Sequence, residues 1–155
     1  EWGMWHQCEE GTNPGFLYQQ NTLRDALVAG LNLNIFNNHC DRVQMSNIAQ
    51  MVNVLQSVIL TEGEKMILTP TYYVYDMYQA HQDAQRVDAV LQDVPKVQDM
   101  DSVTVSASVK DGKVLATLCN IDLENSVTVD LKLRDIDLAF NRRNYDNVLD
   151  LLLEE

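Results

Sequence analysis

The spacing of apolar residues divides this chain into a helical first half and a β-rich second half. Across 21–38 the apolar residues recur at helical intervals, with Thr22 placed as an N-cap and Asp25 in the first turn. A second helix is predicted over 69–84, because Pro70 suits a first helical turn and apolar and aromatic residues follow it. The first segment is therefore predicted to form an amphipathic helix, and the second a helix of about four turns.

Strand-like sequence lies between the two predicted helices. Residues 43–54 are mostly β-branched or apolar with a few polar interruptions. A parallel barrel strand is buried on both faces, so polar residues are expected only where its end meets a substrate. Gln50 and Asn53 fit such a strand mouth. The turn-forming residues of GTNPG at 11–15 connect a preceding strand to the first helix, which predicts a strand–loop–helix unit.

The period changes to two in the second half. Residues 102–110 alternate, Asp111 and Gly112 suit a two-residue turn, and residues 113–120 return, which predicts a β-hairpin. The residues expected on its buried face are apolar: Val103, Val105, Ala107 and Val109.

A third strand is predicted at 126–133, where the alternation continues. Three antiparallel strands that follow helices suggest a β-sandwich accessory domain, joined to the first half near 85–96. The last residues, 147–155, look more helical than extended, so we expect this sheet to lack some closing strands.

Length and charge narrow the possible functions. The chain has 155 residues, whereas a typical (β/α)8 barrel needs roughly 250, so a whole barrel does not fit. We therefore expect the chain to be a piece of a longer protein. A formal net charge of −12 argues against nucleic acid as a partner, because phosphate binding needs clustered Lys and Arg. No apolar run approaches the ~20 residues of a membrane span, so no membrane partner is predicted.

The cysteines and histidines give no sign of a metal site. Cys8, Cys40 and Cys119 are widely spaced and lack a CxxC pair, so they are interpreted as reduced thiols of a cytoplasmic protein. Secretion stays open, because a segment upstream of residue 1 could carry a signal. None of the three histidines has a spacing that predicts a catalytic or zinc-binding role.

Six segments carry a resemblance to a known family. The chain resembles the α-L-arabinofuranosidases of glycoside hydrolase family 51, strongly over 1–83 and more loosely to about residue 133. The matching segments, in the family's order, are EWGMW at 1–5, TNPG at 12–15, DALVAG at 25–30, CDRV at 40–43, NIAQMVNVL at 47–55 and LTPTYYV at 68–74.

The resemblance implies a fold and an activity. Residues 1–84 would form the last βα units of a (β/α)8 TIM barrel, and residues 85–155 would form a partial antiparallel β-sandwich with an atypical tail. The whole protein would be an exo-acting, retaining enzyme that removes terminal α-L-arabinofuranosyl residues from arabinan, arabinoxylan and arabino-oligosaccharides. It would use no metal or organic cofactor, and it would assemble as a homo-oligomer.

The resemblance also implies site residues. Glu1 would be the nucleophile at the end of the seventh barrel strand, Gln50 would bind the arabinofuranose ring, and Trp5 would line the cleft. The acid/base Glu of the family has no counterpart in this chain. Each residue also has a plainer interpretation: Glu1 as a solvated terminal side chain, Gln50 as a buried amide bonded to backbone, and Trp5 as a core residue at the rim.

Two other functions remain as alternatives. The chain could be a noncatalytic carbohydrate-binding or structural β-domain with a helical prefix, although this gives no reason for the order of the matching segments. It could also belong to another barrel glycosidase, which the two-carboxylate chemistry allows but the segments fit less well.

Overall fold

The computed structural model describes residues 1–133, which contain two α-helices and seven strands. The helices are α1 (Leu23–Asn38) and α2 (Pro70–Tyr78). The strands are β1 (Ile59–Glu62), β2 (Lys65–Leu68), β3 (Gln85–Val87), β4 (Lys96–Val97), β5 (Met100–Asp101), β6 (Val103–Lys110) and β7 (Lys113–Asn120). All pairings between these strands are antiparallel, in the orders β1-β2, β3-β6-β7 and β4-β5. The predicted helix at 147–155 lies outside the described residues.

Helix α1 forms as predicted and organises the core. Its N-terminus is fixed by Asp25, whose carboxylate accepts a hydrogen bond of 2.8 Å from the backbone N–H of Thr22. One face of α1 then packs against α2 through small and aliphatic side chains, with aromatic rings around them. The buried members are Ala26, Ala29, Leu33 and Val74, and the surrounding rings belong to Trp2, Phe36, Tyr75 and Tyr78.

Helix α2 begins at the predicted proline but ends earlier than predicted. It gives way to a 3-10 turn at Gln79–His81, so the prediction of a helix to residue 84 is wrong. The His81 ring lies 2.8 Å from the Ser108 hydroxyl and 3.1 Å from that of Thr117. These contacts hold the turn against the sheet, and Asp83 then adopts a left-handed conformation with φ of 57° that redirects the chain.

The strand predicted at 43–54 is also wrong as a continuous element. Among the described residues it forms two isolated parallel bridges and no longer ladder, and these bridges join Trp2 to Ile48 and Val52 to Ile59. Asn53 adopts a left-handed conformation with φ of 60°, and the Val54 N–H bonds to the carbonyl of Val52. These local turns bend the backbone away from the extended shape that a longer ladder needs.

The predicted hairpin is confirmed, whereas the predicted third strand is wrong. Strands β6 and β7 pair along their whole length around Asp111 and Gly112, whose φ values of 50° and 77° suit a tight hairpin turn. No strand forms over 126–133. The third strand is instead β3, from the segment that was expected to be a linker, and it pairs with the other edge of β6.

Helix α1 covers the hydroxyl side of the hairpin, which the alternation had placed toward solvent. Ser106 and Ser108 are 0% and 5% exposed. The amides of α1 reach this side, and the Asn37 side chain donates to the Ser106 hydroxyl at 3.1 Å. Two residues of the predicted apolar face, Val103 and Ala107, are buried as well. The prediction of a single buried face was therefore incomplete.

Helix α1 approaches strand β7 closely at Gly30. A Cβ atom placed on Gly30 would lie 3.2 Å from the Cys119 sulfur and 3.8 Å from the Tyr78 hydroxyl oxygen. Cys119 is buried on β7, and burial raises the pKa of its thiol, which keeps it protonated and packed. The missing side chain at Gly30 is thus what lets α1 lie against β7.

We predict that Gly30→Ala destabilises the chain by about 1 kcal/mol, because crowding against Cys119 outweighs the gain in helix propensity. In a Cys119→Ala background the same substitution should instead stabilise the chain by up to about 1 kcal/mol. Urea denaturation of the four proteins, followed by circular dichroism, measures both changes. Equal effects of Gly30→Ala in the two backgrounds would show that the Cys119 side chain does not limit how closely α1 packs against β7.

Candidate functional site

The first residues of the chain pair with the segment that precedes Gln50. The Trp2 N–H donates to the Asn47 carbonyl at 2.9 Å, and the Ala49 N–H donates to the Trp2 carbonyl at 2.8 Å. Gly3 follows with φ of 144°, and a Cβ atom there would lie 3.2 Å from the Ala49 carbonyl oxygen. A side chain at position 3 would therefore push the two segments apart.

Two buried glutamines fix the next residues in place. The Gln56 side chain accepts from the Met4 N–H at 2.8 Å and donates to the Asp25 carbonyl at 2.6 Å. The Gln19 side chain accepts from the His6 N–H at 2.9 Å and donates to the Met4 carbonyl at 3.2 Å. Gln19 and Gln56 are 1% and 0% exposed. These side-chain amides replace the ladder bonds that a longer strand would supply.

This arrangement brings Glu1 and Gln50 onto neighbouring segments. Trp2 and Ala49 are joined by a backbone hydrogen bond of the parallel pairing. Glu1 directly precedes Trp2, and Gln50 directly follows Ala49. Both side chains are exposed. The plainer interpretation of Gln50 as a buried amide bonded to backbone is therefore wrong, because its side chain is exposed in the described part of the chain.

Trp5 projects from a backbone that is fixed on both sides. Its neighbours Met4 and His6 are the residues bonded by the two glutamines. The Trp5 side chain is nevertheless 70% exposed, so it is not a core residue here. An exposed indole on a fixed backbone is available for a ligand that presents an apolar face.

Asn53, which the sequence placed at the strand mouth, has a structural role. Its side chain accepts from the Thr61 N–H at 2.7 Å and donates to the Thr61 hydroxyl at 2.9 Å. Both ends of the amide are thus engaged with β1. Of the two residues predicted at the mouth, only Gln50 has a side chain free of hydrogen bonds to the described residues.

A buried polar cluster joins the helices to the sheet. Asn34 is 1% exposed, and its side-chain oxygen accepts from the hydroxyls of Tyr78, Ser106 and Thr117 at 2.8, 2.8 and 3.0 Å. Its amide nitrogen donates to the Thr104 hydroxyl at 3.0 Å. We call these five residues the Asn34 cluster. Sequence analysis missed it, because buried asparagine and serine look like surface residues when only hydropathy is considered.

Burial sets the protonation of the groups around this cluster. Desolvation raises the pKa of Tyr78 to about 12, so its hydroxyl stays protonated and can donate to Asn34. Desolvation lowers the pKa of His81, whose ring contacts the Thr117 hydroxyl. The uncharged imidazole can accept at one nitrogen and donate at the other, which suits the two hydroxyls beside it.

Residues 1–133 hold no group of three or more metal-ligating side chains. Over the same range, neither helix has the length and hydrophobicity required to cross a bilayer.

The comparison with protein families decides the family. Residues 1–144 match the family model described as the α-L-arabinofuranosidase C-terminal domain. The chain belongs to this family. The match includes every segment that carried the resemblance, from EWGMW at 1–5 to LTPTYYV at 68–74.

Individual relatives agree with the family match. The chain is 48% identical over 141 residues to an intracellular exo-α-L-arabinofuranosidase of Bacteroides ovatus. The aligned region covers 87% of this chain and 27% of that protein. A crystal structure of the GH51 arabinofuranosidase from Xanthomonas axonopodis pv. citri matches with a TM-score of 0.74 and 54% identity, over 78% of this chain and 25% of that one.

A more distant family 51 enzyme, from Bifidobacterium longum, shares the fold. It matches with a TM-score of 0.62 at 24% identity, over 70% of this chain and 22% of that one. The chain thus spans about a quarter of the length of the relatives it matches. Its helices and antiparallel sheet correspond to part of the GH51 architecture, and the sheet is consistent with a C-terminal β-sandwich.

Proposed function

We propose that the chain is part of an exo-acting, retaining α-L-arabinofuranosidase whose substrates are terminal arabinofuranosyl residues of arabinan, arabinoxylan and arabino-oligosaccharides. The observation that carries the proposal is 48% identity over 141 residues to a protein named as an intracellular exo-α-L-arabinofuranosidase. In this proposal Glu1 is the nucleophile, and Gln50 and Trp5 bind the sugar. The acid/base carboxylate belongs to a part of the full-length enzyme outside this chain.

The parallel pairing near residue 1 supports the proposed architecture. In a (β/α)8 barrel, neighbouring strands are parallel and their C-terminal ends form the active-site face. The bonds that join Trp2 to Asn47 and Ala49 have the parallel sense. We infer that 1–84 supplies the last βα units of such a barrel and that 85–155 belongs to the β-sandwich domain.

The proposed chemistry proceeds in two displacements at the anomeric carbon. The Glu1 carboxylate attacks this carbon while the bond to the leaving oxygen breaks, and the acid/base residue protonates that oxygen. The acid/base residue then deprotonates a water molecule, which attacks the same carbon and releases both arabinose and the Glu1 carboxylate. The two displacements give net retention of configuration. They require two carboxyl groups about 5–5.5 Å apart and no metal or organic cofactor.

The position of Gln50 suits contact with the sugar bound at Glu1. Its side chain is exposed beside the segment that carries Glu1, and an amide can both donate to and accept from neighbouring sugar hydroxyls. Trp5 offers a flat apolar surface on the same segment.

We predict that Gln50→Ala in the full-length enzyme lowers kcat/KM for an aryl α-L-arabinofuranoside roughly ten- to a hundredfold, through the loss of one or two hydrogen bonds to the sugar. Gln44→Ala is the matched control, because Gln44 is also exposed and, among the described residues, its amide bonds only to nearby backbone carbonyls. A kcat/KM for Gln50→Ala equal to that of the control would remove Gln50 from the site.

The proposal as a whole is tested with the full-length enzyme and the 155-residue chain side by side. We predict that the full-length enzyme releases arabinose from an aryl α-L-arabinofuranoside and that the chain alone does not, because the chain lacks the acid/base carboxylate. Reaction in methanol should give the methyl α-L-arabinofuranoside, the product of retention. A β-configured methyl glycoside would contradict the retaining mechanism. Activity of the isolated chain would contradict the proposal that the acid/base carboxylate lies outside this chain.

We further propose that the full-length enzyme is a homo-oligomer located in the cytoplasm. The Bacteroides ovatus relative, which is named as intracellular, supports the location. Sedimentation velocity of the full-length enzyme and fractionation of the producing cells would test these two proposals.

A further inference from the structure

Phe16 is an exposed aromatic residue on a tightly bonded loop. Its side chain is 71% exposed at the end of the 3-10 turn Pro14–Phe16. The Asn13 side chain accepts from the Gly15 N–H at 2.9 Å, and the Asn13 carbonyl accepts from the Phe16 N–H at 3.0 Å. The Leu17 N–H then bonds to the Pro14 carbonyl at 3.2 Å. These hydrogen bonds fix the backbone around Phe16, so its side chain is exposed on an ordered turn and not on a loosely attached loop.

The same loop is attached to the segment that carries Gln50. The Leu17 carbonyl accepts from the Leu55 N–H at 2.9 Å, and the carbonyl of Val54, next to Leu55, accepts from the Gln50 N–H at 3.2 Å. Two backbone hydrogen bonds thus link the residue after Phe16 to Gln50. Phe16 also lies in the loop that follows the segment of Glu1 and leads into α1, which is the side of a βα unit where substrates bind.

We propose that Phe16 stacks against the sugar on the leaving-group side of the scissile bond. This inference rests on the proposed function and adds to it a residue that selects saccharide substrates. Phe has no polar atom that would explain its exposure, whereas its ring can pack on the C–H face of a pyranose or furanose. Among residues 1–133 the other aromatic side chain exposed to this extent is Trp5, which lies on the segment of Glu1.

Charge favours a neutral saccharide as the occupant. The chain carries a formal net charge of −12, and Glu9 and Glu10 lie in the same loop as Phe16. An anionic partner such as nucleic acid would be repelled by this surface, whereas an uncharged arabinan or arabinoxylan would not be. The aromatic ring then supplies contact area that does not depend on salt.

The test compares two substrates of the full-length enzyme. α-L-Arabinofuranosyl fluoride has no sugar as its leaving group, whereas α-1,5-arabinotriose has two. For Phe16→Ala we expect the ratio of kcat/KM for the trisaccharide to kcat/KM for the fluoride to fall about three- to tenfold, which is the range of one lost stacking contact. Phe16→Tyr should restore the ratio, because it retains the ring.

Two further variants keep the result decisive. Phe16→Leu preserves an apolar side chain and should fold, yet its ratio should fall as it does for Phe16→Ala. Tyr73→Ala removes an exposed aromatic from the outer surface of α2, 55% exposed, and should leave the ratio unchanged. A normal ratio for Phe16→Leu would overturn the inference, and so would an equal loss on both substrates with a change in sedimentation, which would indicate a subunit contact. If the unmodified enzyme hydrolyses neither substrate, the proposed function itself fails.

Discussion

Replacing Glu1 with Gln in the full-length enzyme is expected to lower kcat by roughly 10⁴- to 10⁶-fold, the scale of loss when an enzyme's nucleophile is removed. The amide has the size of the carboxylate but cannot attack the anomeric carbon. Steady-state kinetics with an aryl α-L-arabinofuranoside measure the loss. Glu10→Gln is the matched control, because Glu10 is an exposed glutamate in the loop that follows.

Rescue by an external nucleophile distinguishes whether Glu1 is the nucleophile or the acid/base residue. In Glu1→Ala, azide can enter the space left by the side chain and attack the anomeric carbon directly. We expect partial recovery of turnover with a β-configured arabinofuranosyl azide, the product of a single inversion. Recovery with the α-configured azide would mean that Glu1 is the acid/base residue, because the covalent intermediate would then still form.

The second large effect is expected at Asn34. Asn34→Ala removes an acceptor shared by three hydroxyls and a donor to Thr104, all within a buried cluster. Losing these four hydrogen bonds around a fully buried side chain should lower the free energy of unfolding by about 3–5 kcal/mol. Hydrogen exchange of the amides in α1 and β6 of the full-length enzyme measures the change.

Asn32 provides the control for this substitution. It lies on the same helix, and within residues 1–133 its side chain bonds only to the Val28 carbonyl one turn earlier, at 2.8 Å. Asn32→Ala should therefore change the stability by less than about 1 kcal/mol. Similar effects of the Asn32 and Asn34 substitutions would show that the Asn34 cluster does not hold the helices to the sheet.

The elements that could be predicted from the sequence are those with local signals. Thr22 and Asp25 mark the start of α1 because a helix terminus needs nearby partners for its free N–H groups. Asp111 and Gly112 mark the hairpin because few residues adopt their backbone conformation without strain. Neither signal depends on distant parts of the chain.

The elements that were missed depend on distant partners. Residues 126–133 alternate like a strand, but they pair with no strand among the described residues, and β3 from the predicted linker joins β6 instead. Residues 43–54 have strand-like composition, yet their backbone bonds to local turns and to Trp2. Composition indicates that a segment could be a strand, but pairing decides whether it becomes one.

The candidate site was predicted by resemblance and not by pattern. Nothing in the spacing of Glu1, Trp5 and Gln50 indicates that they belong together, because their proximity comes from a parallel contact between segments about fifty residues apart. The roles of Gln19 and Gln56, whose side chains hold Met4 and His6 next to this contact, left no signal in the sequence, because a buried glutamine looks like any surface glutamine until its partners are known.

The contact between α1 and the sheet is made largely by amides and hydroxyls, and this has a thermal consequence. Exposing polar surface on unfolding lowers the heat capacity, whereas exposing apolar surface raises it. Exposing the polar groups of the Asn34 cluster on unfolding therefore lowers the heat-capacity change and reduces the curvature of stability with temperature. Apolar contacts weaken as a protein is cooled. The attachment of α1 to β6 should retain its strength in the cold better than the packing between α1 and α2.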